Sequence, residues 1–378
     1  MFLYERIFGF GLYMLVLLFV CVLLTKTNAS CKSTLRFYII CLCTMAFFYK
    51  PYITGDLYRI YEQMTFFSAM QFSYFWENYA LTSSVPIARV LFWCISKTGV
   101  NALLPVFSSF VCFSLIFHII NKTQKMFSVS KKNVAYVLFF VMTTSIYISV
   151  IGGIRMMLAL SMITFSFFRG TVEKKVSFID ILIYLVSVFI HTTSVIVIGI
   201  CVLVTIFDSK KRFLRRLGFI FVVGIAGFVF ARNFNSIINS VYLKFIDYVL
   251  GDRHSDMWEY IMGTLIVIQL LVLLVEFHRL HKEEGLKDLR SYNCAMLWCV
   301  IIAVVFCFEF SIFYRFAGHL AVIFSIPMML VTLEKSNGRP SRVVRWMDFK
   351  GILMVISAAI AAISCTRGSL SSLKFFEL

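Results

Sequence analysis

FIDILIYLVSVFIHTTSVIVIGICVLVTIF, spanning Phe178–Phe207, is the stretch on which the architecture turns. It is apolar almost throughout and longer than the ~20 residues that a tilted membrane helix needs. Its centre reads His191-Thr192-Thr193-Ser194, a polar interruption in a hydrophobic run. Crossing once, the run would put Lys210, Lys211, Arg212, Arg215 and Arg216 on the face opposite the basic loops at 121–133 and 169–177. Turning back at His191 as two short helices, it leaves every strongly basic loop on one side, which is how cytoplasmic loops are marked. The hairpin is therefore the expected arrangement.

Composition gives the class. Of the 378 residues, 60% are hydrophobic and 15% are charged, whereas a soluble domain carries roughly 25% charged residues. With a mean hydropathy of +0.88, the chain reads as a polytopic membrane protein. The formal net charge of +17 does not point to nucleic acid, because the 36 Lys and Arg lie mostly in short loops between apolar runs. Eleven cysteines are scattered without a CxxC pair, most of them in apolar stretches, and read as small hydrophobes.

Apolar runs near 7–24, 35–48, 102–120, 134–150, 153–168, 216–230, 258–277, 292–308, 312–333 and 351–365 accompany the hairpin. Together they predict an all-α polytopic membrane helix bundle of about twelve transmembrane segments, with short half-helices, outer-face loops and both termini outside. The first run is kept as a span, being long for a signal segment and not followed by a small-x-small site. Residues 1–378 form a single integral membrane domain in this reading. Residues 49–101 are expected as an outer, aromatic-rich loop with a short interfacial helix over Val85–Lys97, which contains Pro86 and Arg89. Residues 231–257 are a second outer loop, and its cluster Asp252-Arg253-His254-Ser255-Asp256 is read as solvated rather than metal-binding.

In this topology the ionisable residues of the apolar stretches collect on the outer side. Arg155 follows Gly152-Gly153, whose tight turn sets it in the first turn of the next helix. There the unpaired backbone N–H groups and the positive dipole end favour an anion. A guanidinium at mid-membrane costs about 2.5–3.5 kcal/mol, so it persists where it faces protein, water or an anion. Snorkelling to headgroups is the blander account. His191 sits at the outer turn of the hairpin, where Thr192, Thr193 or Ser194 is placed to cap the returning helix. Glu309-Phe310-Ser311 ends a later span on that side, and Arg315 and His319 lie four apart on one face near the start of the next. A structural Glu309–Arg315 ion pair would account for part of that group. Two guanidiniums at two helix starts also suit a pyrophosphate.

Four segments together resemble the EpsG-type polysaccharide polymerases, which are related in role to the O-antigen polymerase Wzy. They are Asp56-Leu57-Tyr58-Arg59-Ile60-Tyr61, Ile154-Arg155 with Ala159 as R-x-x-x-A, Phe189-Ile190-His191-Thr192-Thr193-Ser194, and Tyr314-Arg315. The resemblance covers roughly residues 40–335. It implies an enzyme of the bacterial inner membrane that extends a surface glycan, O-antigen or capsule, on the periplasmic face. The growing chain, carried on undecaprenyl pyrophosphate, would be transferred to an incoming lipid-linked repeat unit, so the leaving group is a lipid pyrophosphate. No metal or other cofactor is expected. Partners would be the lipid-linked donor and acceptor and membrane lipids, with a chain-length regulator as an optional addition and no nucleic acid.

The catalytic assignment that follows is Arg155 and Arg315 on the departing pyrophosphate and His191 as general base or positioner of the acceptor hydroxyl. Asp56 and Glu309 are fallback bases. Substrate contacts are assigned to Asp56, Tyr58, Arg59, Tyr61, Arg89, Glu309 and His319. Tyr58, Tyr61, Trp76 and Tyr79 offer flat faces for sugar rings, or else form an interfacial aromatic belt. Two other function classes compete: a flippase or transporter of a lipid-linked sugar, which would show repeat halves and broken helices at mid-membrane, and a membrane acyltransferase modifying an envelope glycan.

Overall fold

The basic loops between the apolar runs begin with helix caps. Ser30 accepts a hydrogen bond from the Ser33 N–H at 3.1 Å and opens α2 (Cys31–Phe48) directly behind α1 (Phe2–Lys26). Ser130 does the same for Asn133 at the start of α7 (Lys131–Thr143), which follows α6 (Leu103–Met126). Ser177 and Asp180 form a reciprocal capping box at the start of α10 (Phe178–Ile190). Such side chains satisfy backbone donors that an isolated helix start would leave open. The computed structural model describes residues 2–53, 55–144, 146–208, 257–284, 286–307, 310–336 and 349–366.

Those residues are all-helical or connecting, and five helices are long and apolar enough to cross a membrane: Phe8–Lys26, Cys31–Phe48, Leu103–Met126, Tyr260–Leu280 and Ile312–Lys335. The last, within α14 (Phe310–Tyr314, a π-helical stretch Arg315–Ala321, and Val322–Lys335), is buried from Phe316 to Leu333 and forms the axis of the bundle. The remaining elements are α3 (Asp56–Ser68), α4 (Phe72–Phe75, widening into a π turn at Trp76–Ala80), α5 (Pro86–Ser96), α8 (Ile146–Gly152), α9 (Ile154–Thr171), α11 (Ser194–Asp208), α12 (Met257–Glu284), α13 (Arg290–Val305) and α15 (Phe349–Thr366). The expected span at 216–230 and the second outer loop at 231–257 lie almost wholly outside the described residues, as do the Asp252–Asp256 cluster and Glu309.

The run over 134–150 is broken rather than straight, with α7 and α8 meeting at 53°. No Pro or Gly stands at the bend. Instead the hydroxyls of Thr143 and Thr144 donate back to the carbonyls of Phe140 and Val141 at 3.0 and 2.6 Å. Such back-bonding bends helices. Ser108 of α6 then donates to the Val150 carbonyl at 2.7 Å and holds α8 in place.

The hairpin expected at His191 is present. His191 is extended (φ −152°, ψ 128°) between α10 and α11. Tyr184 and Cys201 are electrostatic neighbours and both act on Tyr292, whereas one continuous helix would hold them about 25 Å apart.

The described parts of the basic loops meet at one end. The Lys131 ammonium donates to the carbonyls of Thr27 and Ala29. Ser130 N–H and the Asn133 amide both donate to the Glu334 carboxylate at 2.7 and 2.8 Å. Arg169 pairs with Asp180 at 3.2 Å, Lys174 with Asp288 at 3.1 Å, and the Lys350 ammonium stands 4.3 Å over the Tyr136 ring. Between the two ends the core is aromatic. Tyr292 donates to the Thr164 carbonyl at 2.7 Å among Phe167, Phe168 and Phe324, and Tyr13 stacks on Tyr147 at 5.0 Å. Cys112, Cys201 and Cys299 are unbridged and buried. At Gly263, where α12 approaches α14, an added Cβ would collide with the Phe313 ring.

Candidate functional site

At the end remote from the basic loops, α3 gathers two arginines from elsewhere in the chain. Its first residue, Asp56, and Gln63 are seven apart and therefore share one face. Asp56 Oδ2 lies 3.4 Å from Arg155 Nη2, and Gln63 Oε1 accepts from Arg89 Nη1 at 2.6 Å. Arg89 also lies over the Phe67 ring, with its guanidinium carbon 5.7 Å from the centroid. Burial and the Arg155 charge both lower the Arg89 pKa from its ordinary value, so the two guanidiniums sit within each other's field. α5 brings Arg89 because Pro86 starts the helix and its apolar face packs on α3.

Arg155 is the second residue of α9, as the Gly152-Gly153 break led one to expect. The Gly153 N–H donates to the Ser149 carbonyl at 2.8 Å, and a Cβ on Gly153 would stand 3.1 Å from that oxygen. Its side chain is 31% exposed and that of Asp56 49%. The pair is wet and worth less than about 1 kcal/mol. Arg155 Nε, by contrast, is buried and has no hydrogen-bond partner among the described residues. An arginine offers five N–H donors in a fixed fork, so donor capacity remains for an anion.

A second cluster lies on α8 and α14. His319 belongs to the π-helical stretch, is 2% exposed, and has its Nδ1 3.0 Å from the Tyr314 carbonyl. A carbonyl can only accept, so Nδ1 carries the proton and Nε2 of the neutral ring is an acceptor. Ser149 Oγ lies 2.5 Å from that Nε2 and so donates to it. A hydroxyl donating to an imidazole that a third group holds in orientation is an arrangement able to pass on a proton. Arg315 acts electrostatically on His319 from the same stretch. Because Ser149 also carries the carbonyl that takes the Gly153 N–H, this cluster adjoins the helix start bearing Arg155.

The remaining expected residues are placed as follows. His191 sits in the hairpin turn with its N–H on the Ser187 carbonyl and its Nδ1 accepting from Thr193 N–H at 3.3 Å. The imidazole itself thus takes up a backbone donor that a hydroxyl was expected to cap. Its helix, α10, packs on α5, the bearer of Arg89. Tyr58 is half-buried and Arg59 exposed. The Tyr61 hydroxyl is buried without a hydrogen-bond partner among the described residues. Tyr79 packs edge-on against Phe66 and Phe67, while Trp76 remains partly exposed beside Phe72.

Ser149 and Gln63 are the two participants that sequence reading passes over. Gln63 had a signal in its seven-residue spacing from Asp56. Ser149 had only its place one turn before Gly153. Comparison of the chain with protein-family models, curated proteins and solved structures gives no match.

Proposed function

We propose that this chain is a lipid-linked glycan polymerase of a bacterial inner membrane. It joins oligosaccharide repeat units carried on undecaprenyl pyrophosphate into a surface polysaccharide, by metal-independent glycosyl transfer at the periplasmic face. The observation that carries the reading is the paired guanidiniums of Arg155 and Arg89, one with a buried unused donor, at the end of the bundle opposite the basic loops. Basic loops face the cytoplasm, so the pair faces away from it. The full topology in this proposal is twelve spans with both termini outside.

The reaction forms the bond between the acceptor oxygen and the anomeric carbon as the bond to pyrophosphate breaks. Charge develops on the departing pyrophosphate, where Arg155, assisted by Arg315, stabilises it in the transition state. Arg89 is anchored by Gln63 and adds positive field without needing to move. The acceptor proton goes to an imidazole, either His191 or His319, the latter reached through the Ser149 hydroxyl. Asp56 holds Arg155 until the anion arrives.

The test is the surface-glycan ladder of cells lacking this chain. Single repeat units on the lipid acceptor, without longer products, are expected. An unchanged ladder would overturn the proposal, and complete absence of surface glycan would point to a flippase instead.

A further inference from the structure

A groove about 930 Å³ in volume runs between α2 and α6, which pack against each other. At the end of the basic loops it is lined by Lys32, Arg36, His118 and Asn121. Beyond them its walls are apolar, passing Ile40 and Phe110 to Phe47 and Phe48. At ~1.5 Å per helical residue, the distance from Lys32 to Phe48 is about 24 Å. That exceeds one leaflet of a hydrocarbon core ~30 Å thick, so the groove has room for a whole acyl chain.

The polar end has a definite chemistry. Lys32 and Arg36 are four apart on one helix face, exposed, and make no ion pair with a described residue. His118 is already engaged by Glu173 at 3.1 Å, which removes that carboxylate as a partner for the two cations. The occupant suited to this groove brings an anion for two cations and an alkyl chain.

We propose that this groove binds an anionic glycerophospholipid, of the phosphatidylglycerol type, drawn from the leaflet at the basic end. Its phosphate lies between Lys32 and Arg36, and one acyl chain follows Ile40, Phe110 and Phe47. Choline and ethanolamine heads would set a positive charge beside Lys32 and Arg36. The site is independent of the glycan chemistry at the opposite end of the bundle.

The experiment is native mass spectrometry of the full chain, delipidated in mild detergent and titrated with phosphatidylglycerol, phosphatidylethanolamine or phosphatidylcholine of identical acyl chains. One equivalent of phosphatidylglycerol is expected to bind about tenfold more tightly than the other two. The double variant Lys32→Ala/Arg36→Ala should lose that preference, and Lys32→Arg/Arg36→Lys should restore it. Lys175→Ala, at the same end but outside the groove, should leave it unchanged. Equal binding of the three lipids, or a preference that survives the double alanine variant, overturns the proposal.

Discussion

Ser149 and His319, 170 positions apart, share a hydrogen bond whose direction is fixed by a third group, the Tyr314 carbonyl. The imidazole is thereby an acceptor toward the serine and, through it, toward whatever the serine hydroxyl meets. His319→Gln and Ser149→Ala are each expected to slow chain elongation about a hundredfold, the low end for losing a positioned acid–base group. Ladder length at matched protein level is the measurement. His191→Ala should give single repeats if the hairpin imidazole takes the acceptor proton. Full polymer from that variant, together with loss in His319→Gln, would assign the step to the Ser149–His319 pair.

Arg155→Lys keeps a positive charge at the start of α9 but loses the planar fork. Elongation should fall by about two orders of magnitude, as when one transition-state donor is removed. The protein level in the membrane should be normal. Ladders of wild-type length would remove Arg155 from the chemistry.

Asp56→Asn probes the ion pair by itself. With both side chains partly exposed, its loss should change unfolding in detergent by less than about 1 kcal/mol. A large drop in melting temperature would show that the pair holds α3 to α9 structurally.

Gly263→Ala tests the packing of α12 on α14. The added methyl meets the Phe313 ring, and overpacking of this kind costs about 1–3 kcal/mol. A lower melting temperature is expected, partly restored by Phe313→Leu.

The hairpin at His191 was legible before any coordinates because two independent constraints, run length and loop charge, both favour it over a single crossing. Arg155 at a helix start was legible for a local reason, since paired glycines end one helix and the next begins within a residue. The bend between α7 and α8 was not, because threonines act there through hydroxyl back-bonds that need not bend every helix in which they occur. Neither were Arg89–Gln63 or Ser149–His319. Each is a contact between distant segments, and periodicity within one element says which face a residue takes but not what faces it. The aromatic stretch from Tyr49 to Ser84 read as a loop, yet it forms α3 and α4, with Phe67 packed on Phe75 and Phe75 on Trp93; α5 falls inside the short helix expected over Val85–Lys97.

The widened coil at Arg315–Ala321 has a mechanical consequence. Bonds from i to i+5 take in about one residue more per turn than an α-helix does. The two halves of the central shaft are thus keyed at different angles, so its lower part can interlock with the bundle while its upper part aims Arg315 and His319 independently. Removing a single residue from this segment would wind it back to a regular coil and swing the histidine by about 100°. The serine would then have lost its partner with the rest of the axle still seated.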